Sequence, residues 1–275
     1  MRRPFILGGT YFPKHDENRM RSEGDVASAR KRFLRDRFPN LDYLLYQRYS
    51  WMNDYIKDDD IVLEIGCGPG FSPLYLIPQK KPILTDAVKH EWVDRVLDAT
   101  SMDMADESLD VIIASHTIHH FYSPFKFFME SLRVLKPGGL ICVQEINASL
   151  LMRVMLRLMR HEGWSYEVDV FNGNERVNDN HDPWSANCAV PQMLFADETK
   201  FNQAFCSKNA KLVVKLNQLC ECFIFPLSGG VIAKTKIPPL PRNFLKFISM
   251  IDMMAIKICP NVFALGRRVV IQKKL

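Results

Sequence analysis

Short apolar segments alternate with segments of helical periodicity along the first 150 residues of the 275-residue chain. The apolar segments are bordered by acids, glycines or charged turns, which is typical of buried parallel strands. They lie at 61–65, 82–85, 108–115 and 140–144. Helical spacing and capping signals predict helices at 25–38, 41–56, 124–135 and 148–161, the second with Asn40 as its N-cap. This alternation predicts an α/β protein.

The pattern changes after residue 161. Regular periodicity disappears from 162 to 192, where Asn, Asp and Gly dominate. The stretch also carries Trp164, Tyr166, His181 and Trp184, and disordered linkers tend to lack such side chains. We therefore predict a lid over a substrate. Its mixture of Asn, Asp and Trp suits a polyhydroxylated ligand, through hydrogen bonds to hydroxyls and stacking on ring faces.

Strands are predicted at 211–216 and 263–272, on either side of a dense apolar helix at 244–258. At about 15 residues this helix is too short to span a bilayer easily. A core or dimer position is favoured, and an interfacial membrane helix is the alternative.

The first strand ends in a glycine-rich turn that we take as the centre of the chain. Glu64 is followed by Gly66, Gly68 and Gly70, with Cys67 inside the turn. Glycines permit a positive φ and a close approach of backbone to a ligand. A strand, such a turn and a following helix form a nucleotide-binding corner.

The spacing E-x-G-x-G-x-G resembles the first motif of the class I S-adenosylmethionine (SAM)-dependent methyltransferases. Asp86, 22 residues after Glu64, matches the second motif, whose acid accepts hydrogen bonds from the ribose. Asp98 matches the residue that binds the adenine amine. The strand at 108–115 and the later L-K-P-G-G sequence also match. The likeness is firm over about 60–147 and looser elsewhere.

The resemblance implies a doubly wound, seven-stranded, mostly parallel sheet of Rossmann-like type, with an N-terminal helical cover and an inserted lid. It divides the chain into an N-terminal arm and cover (1–57), a SAM-binding core (58–147), a helix and substrate lid (148–210), and C-terminal strands with the apolar helix (211–275). The terminal strand is expected to be antiparallel.

The implied cofactor is SAM, with S-adenosylhomocysteine as product. Glu64 would orient its methionine end, the glycines would meet it through their backbone, and Asp86 and Asp98 would hold ribose and adenine. The expected cofactor-binding residues are Glu64, Gly66, Cys67, Gly68, Gly70, Asp86, Ala87, Asp98, Ala99 and Ser115. The first helix after the turn is shortened by Ser72-Pro73.

The fourth strand leads into a segment with His116, His119 and His120. His119 or His120 is a candidate general base, because a neutral imidazole accepts the proton that an attacking hydroxyl loses. Ring packing against the cofactor is the alternative. His116 and His120 are four residues apart, which suggests a metal site, but no carboxylate nearby in the sequence completes a ligand set. No metal is therefore predicted. A metal site at Cys220 and Cys222 is also disfavoured, because no second pair of ligands with suitable spacing follows.

Two further catalytic candidates come from later segments. Glu145 ends the fifth strand at the edge where α/β active sites lie, although an exposed strand-end acid is the simpler interpretation. His181 lies in a stretch, 181–191, that with 227–230 resembles a methyltransferase subgroup associated with bacterial surface polysaccharide synthesis. That resemblance implies that His181, Trp184 and Asn187 line the acceptor side.

Charge is unevenly distributed over a chain of net charge +5. Residues 1–50 hold eleven Lys or Arg against six acids, and 234–275 hold nine against one. Such ends could face an anionic partner or only solvent. We expect peripheral membrane contact through them and 244–258, or a homodimer. RNA is disfavoured, because no basic platform with interleaved aromatics exists.

Seven scattered cysteines and the lack of a signal-peptide pattern in 1–9 indicate a cytoplasmic protein, with peripheral membrane contact as the alternative.

The favoured function is methyl transfer to a small-molecule or saccharide hydroxyl by in-line displacement. A phenol, an amine or RNA is an alternative acceptor. A SAM-binding protein without catalytic activity is the alternative function. The glycine spacing and the paired acids disfavour a nicotinamide-dependent oxidoreductase.

Overall fold

The computed structural model describes residues 9–18, 25–77, 81–179, 181–182, 184–232 and 235–275. Most of the predicted N-terminal loop (1–22) and Pro183 of the second resemblance therefore lie outside the described residues. Seven strands form one sheet in the order β3-β2-β1-β4-β5-β7-β6. They are β1 (Val62–Ile65), β2 (Ile83–Asp86), β3 (Arg95–Val96), β4 (Leu109–Ser115), β5 (Leu135–Ile146), β6 (Lys211–Cys220) and β7 (Gly266–Lys274).

The strand directions confirm the predicted doubly wound sheet. Each neighbouring pair from β3 to β5 is parallel, and β7 runs antiparallel to both β5 and β6. The chain order reverses between β1 and β4. At such a point the carboxyl ends of adjacent strands diverge and leave a crevice for a ligand.

The helices cover both faces of the sheet. They are α1 (Val26–Asp36), α2 (Pro39–Tyr49), α3 (Pro124–Val134), α4 (Leu150–Met159), α5 (Val190–Phe195), α6 (Glu198–Ala204), α7 (Ile224–Leu227), α8 (Arg242–Ile258) and α9 (Pro260–Phe263). Single 3₁₀ turns lie at Ser72–Leu74 and Ile118–His120, and a longer one at Ser50–Asp54 extends α2.

Alternate residues of the central strands belong to two apolar clusters, because side chains alternate across a strand. Leu63 and Ile112 pack with Phe127 and Phe128 of α3 on one face. Val62, Val111 and Ile113 pack on the other face with the helices α1 and α2. Glu64 has the same parity as Val62, so its carboxyl is directed toward the N-terminal helices.

Three local predictions were wrong. Asn40 is not an N-cap: α2 begins at Pro39, and the Asn40 amide donates instead to the carbonyls of Leu227 (2.9 Å) and Pro238 (3.0 Å). The strand β5 runs from Leu135 to Ile146 rather than from Leu140 to Gln144, so Glu145 lies inside it and is fully buried. The short helices α5 and α6 lie at 190–204, where the sequence pattern predicted no helix.

The apolar helix α8 is not a core helix. Among its residues only Leu245 and Asp252 are buried. The exposed apolar side chains are Phe244, Phe247, Met250, Met253, Met254 and Ile258, with exposures from 45% to 79%. In the part of the chain that the structure describes, no helix combines the length and apolarity needed to cross a bilayer.

Candidate active site

The glycine turn follows β1 at the point where the chain order reverses. Gly66, Gly68 and Gly70 all have positive φ, of 61°, 50° and 64°. A Cβ on Gly66 would lie 2.1 Å from Oγ1 of Thr117, which follows β4. Position 66 therefore admits only glycine, because the left-handed backbone and the close approach of a neighbouring loop both exclude a side chain.

Glu64 lies beneath this turn and is buried. Its Oε2 accepts a hydrogen bond from the Ser72 hydroxyl, and its Oε1 is buried with no hydrogen-bond partner among the described residues. Burial raises the pKa of Glu64 to about 8. A buried carboxyl oxygen without a partner is costly and suits a ligand that brings a donor.

Asp86 ends β2 and joins the turn through its backbone. Its Oδ2 accepts from the Gly68 N–H at 2.9 Å, and its Oδ1 accepts from the Val88 N–H at 3.0 Å. A carboxylate has about four acceptor sites, so two remain for the paired hydroxyls of a ribose. Ala87 is exposed beside it.

Asp98 follows β3 and is exposed. Its Oδ1 accepts from the backbone N–H and the hydroxyl of Thr100, at 2.8 and 2.7 Å. These contacts orient the Asp98 carboxylate. Its other oxygen, Oδ2, can accept a hydrogen bond from an amine. Ala99 is buried in the apolar core and Ser115 is half-buried at the end of β4. Cys67 packs against Leu84 and Val93.

Two side chains that the sequence did not single out cover the turn. Arg30 of α1 donates from Nη1 to the carbonyls of Pro69 and Gly70, the latter at 2.8 Å. Trp92 donates from Nε1 to the Gly68 carbonyl at 2.8 Å, and its ring lies 4.8 Å from the Arg30 guanidinium. These contacts attach the N-terminal cover to the turn, beside a cavity of about 830 Å³.

A second, smaller cavity of about 160 Å³ lies beyond the ends of β4 and β5. Its lining includes Arg48, His116, His119, His120, His161, Glu162, Trp184 and Phe225. The contact between Gly66 and Thr117 makes it a neighbour of the glycine turn.

Glu145 acts as the anchor of the histidine segment. Its Oε1 accepts from the N–H groups of Thr117 (2.8 Å) and Ile118 (2.6 Å). Its Oε2 accepts from the Ile146 N–H at 2.9 Å and lies 2.7 Å from Nδ1 of His119. Donors therefore occupy both oxygens, which leaves Glu145 to orient His119 rather than to accept a proton from a substrate.

His120 has its Nδ1 3.1 Å from the carbonyl oxygen of Ser185. Because a carbonyl oxygen only accepts, this contact places the proton on Nδ1 and the lone pair on Nε2. Nε2 lies 3.8 Å from Oε1 of Glu162. His120 is thus held by the lid and presents an acceptor to the cavity.

Glu162 lies at the centre of three imidazoles and a thiol. His119 and His161 approach its Oε2 with Nε2 at 3.8 and 3.7 Å, and Cys188 donates to the same oxygen at 3.1 Å. Burial alone would raise the pKa of Glu162, but the neighbouring imidazoles outweigh it and hold that pKa well below its usual range.

The pKa values of the two adjacent histidines move in opposite directions. Burial lowers the pKa of His119, but the carboxylates of Glu145 and Glu162 outweigh it and raise that pKa to about 10. Burial, with the charge of His119, lowers the pKa of His120 to about 4. His116 has φ of 52°, and burial holds its pKa well below the usual value.

The structure separates the predicted acceptor-side residues. Trp184 lines the cavity. His181 is exposed and outside the lining, with its backbone N–H bonded to Asp179. The Asn187 side chain is fully buried and bonds to backbone atoms of Ser165, so it stabilises the lid. Sequence reasoning missed Glu162 and Cys188, because only the folded lid brings them to His119.

The residues around the glycine turn fit SAM. The unpartnered oxygen of Glu64 suits its ammonium group, and the open positions on Asp86 and Asp98 suit the adenosine. The turn offers backbone groups rather than side chains at the point of closest approach.

Comparisons with known proteins find similarity to methyltransferases. Residues 63–143 match the methyltransferase domain family. A fission yeast protein (Schizosaccharomyces pombe) described as an uncharacterized methyltransferase is 24% identical, over 36% of this chain and 44% of its own. The matched segment thus spans less than half of that relative.

Solved structures also show similarity, at low sequence identity. The YcgJ protein of Bacillus subtilis has a TM-score of 0.46 at 17% identity, covering 83% of this chain and 98% of its own. A SAM-dependent methyltransferase of Methanosarcina mazei has a TM-score of 0.44 at 18% identity, covering 82% and 98%. The segment from Leu63 to Val143, which contains the glycine turn, is thus similar to the methyltransferase domain family.

Proposed function

We propose that this protein transfers the methyl group of SAM to a hydroxyl of a small molecule or saccharide. The observation that carries the proposal is the closeness of the glycine turn to the histidine segment. Gly66 lies against Thr117, whose N–H is bound by Glu145, and Thr117 lies along the chain between His116 and His119, which line the cavity. A methyl donor and an acceptor would therefore meet in one crevice.

SAM supplies an electrophilic methyl group on a positively charged sulfur. The protein contributes position: the turn and its acids would hold the cofactor, and the cavity would orient the acceptor hydroxyl toward its methyl group. His120 accepts the proton of the hydroxyl at Nε2, because its Nδ1 is committed to Ser185. Trp184 offers a ring face to a sugar, which also supports the polysaccharide subgroup.

His120→Ala is expected to lower kcat about 100-fold while SAM affinity stays within about twofold, because His120 accepts a proton but does not bind the cofactor. The assay is S-adenosylhomocysteine release with a panel of saccharides, phenols, amines and RNA, and SAM affinity is measured by calorimetry. His181→Ala, in an exposed histidine of the same lid, is the control and should keep full activity. Bound SAM without turnover on any hydroxyl compound would favour the non-catalytic alternative.

The exposed stripe of α8 supports a second proposal, that the protein binds an anionic lipid surface. The stripe contains Phe244, Phe247, Met250, Met254 and Ile258, and exposed Arg242, Lys246 and Lys257 accompany it. Asp252, the one acid in 234–275, is buried against the N–H groups of Cys222, Phe223 and Ile224. Apolar and cationic groups together fit an interfacial helix, whereas in a symmetric pair the same cations would approach each other.

Replacing Phe247 and Met254 by Glu is expected to reduce vesicle binding about tenfold or more, because both side chains would otherwise enter the interface. Binding is measured by sedimentation with phosphatidylcholine vesicles containing phosphatidylserine, and with phosphatidylcholine alone. Leu158→Glu, an exposed apolar residue on α4, is the control. Failure of the unaltered protein to bind anionic vesicles, together with a concentration-dependent dimer, would replace this proposal by the dimer.

A further inference from the structure

Three imidazole nitrogens face the Glu162 carboxylate at distances beyond those of hydrogen bonds. His119, His120 and His161 each direct Nε2 at a carboxylate oxygen of Glu162, at 3.8, 3.8 and 3.7 Å. These distances are too long for hydrogen bonds. The groups nevertheless converge from two separate parts of the chain, the turn after β4 and the lid.

The distances from Glu162 Oε2 to Cys188 Sγ (3.1 Å) and to His119 Nε2 (3.8 Å) lie on either side of those between ligands that share an ion. Nitrogen and oxygen atoms about 2.0–2.2 Å from a tetrahedral Zn²⁺, and a sulfur at about 2.3 Å, lie roughly 3.3–3.7 Å from one another. His119 Nε2, a Glu162 oxygen and Cys188 Sγ all lie within 4.8 Å of one another. A small rearrangement, with His119 moving toward Glu162 and Cys188 moving slightly away from it, would place the three around one ion.

The support behind His119 is that of a metal ligand. A histidine that binds a metal through one ring nitrogen usually donates from the other to a carboxylate or carbonyl, which fixes the ring. His119 does so at Nδ1 with Glu145, and three backbone N–H groups fix Glu145 in turn. Nε2 is thereby directed to Glu162 and Cys188.

We propose that His119, Glu162 and Cys188 bind a divalent transition-metal ion, with Zn²⁺ as the best fit. Imidazole, carboxylate and thiolate are its usual ligands, whereas Mg²⁺ and Ca²⁺ prefer oxygen alone. Binding replaces the thiol proton of Cys188 and the Nε2 proton of His119 by the metal, and both protons are released to solvent. The ion connects the lid, through Glu162 and Cys188, to the turn that follows β4.

The sequence predicted no metal site, because no carboxylate lies near the histidines along the chain. In the fold, Glu162 supplies that carboxylate from 43 residues beyond His119, and Cys188 adds the thiolate. The site does not depend on methyl transfer, because none of its three ligands belongs to the glycine turn.

The test uses the full chain, with cobalt as the probe. The unaltered protein is expected to retain about one Zn²⁺ per chain after dialysis. Co²⁺ is expected to give a thiolate charge-transfer band in the near ultraviolet. Cys188→Ser should remove that band, and Glu162→Gln should weaken Co²⁺ binding at least about tenfold. Glu145→Gln should weaken it by about 10–100-fold, because it loosens the orientation of His119.

Two matched variants control for nonspecific loss. Cys206→Ser alters an exposed thiol and Glu167→Gln an exposed carboxylate, and both should keep the band and the affinity. Absence of the band from the folded, unaltered protein overturns the proposal, as does a band that persists in Cys188→Ser. If a variant fails to fold, the presence or absence of the Co²⁺ band in the unaltered protein decides the test. Since no turnover is measured, failure here is separate from failure of the proposed methyl transfer.

Discussion

Arg48→Met is expected to lower the free energy of unfolding by about 3–5 kcal/mol, because it leaves the Glu221 carboxylate buried without its cationic partner, with only the neutral Gln144 amide donating to it. Arg48 on α2 binds Glu221 after β6 through two parallel hydrogen bonds, at 2.9 and 2.8 Å. Both side chains are at most 5% exposed, so water does not replace the lost contact. Denaturant unfolding followed by circular dichroism measures the change.

A surface pair gives the matched control. Arg95 and Asp103 lie 2.9 Å apart, but they are 45% and 97% exposed, so Arg95→Met should cost less than about 1 kcal/mol. Adding Glu221→Leu to Arg48→Met should recover part of the loss, since a buried pair replaced by apolar groups is often tolerated. A loss below 1 kcal/mol for Arg48→Met alone would mean that the pair is not desolvated.

Gly66→Ala is expected to weaken SAM binding about 100-fold. A residue with a side chain pays about 1–2 kcal/mol for the left-handed backbone, and its Cβ also displaces Thr117. The change thus moves the cofactor turn away from the loop that borders the acceptor cavity. Calorimetric titration with SAM measures the affinity, and thermal unfolding shows whether the variant is folded.

Gly138→Ala separates backbone strain from displacement of the loop. Gly138 has φ of 80° with open space where its Cβ would lie, and it lies in β5 between Leu135 and Leu140, where the pairing with β4 is irregular, away from the cofactor turn. This variant should lose stability but bind SAM normally. Equal SAM affinities for the two variants would show that the contact with Thr117 does not matter.

Features that depend on neighbouring positions were predictable from the sequence. The turn from Glu64 to Gly70, the strand-end Asp86 and the start of α3 at Pro124 all appear where local pattern placed them. The number of strands and the antiparallel β7 came from the family resemblance, and the structure confirms both.

Contacts between distant residues were not predictable. Glu145 resembled an exposed strand end because its burial depends on the turn 117–118 folding over it. Arg48 and Glu221 are 173 residues apart, so no local pattern relates them. Asn40 is not a helix cap, because its side-chain amide donates hydrogen bonds to backbone carbonyls nearly 200 residues away. His181 was singled out by residue type, yet the fold of the lid directs it to solvent.

The position of β7 affects the order in which the molecule is assembled. β7 is made after β6, yet it separates β6 from β5. As the chain emerges during synthesis, β5 and β6 therefore both present unpaired edges, and β5 carries apolar residues at Ile141 and Val143. Such edges are where chains associate with one another. We expect the interval before β7 inserts to be the stage at which a folding chain is most prone to aggregate.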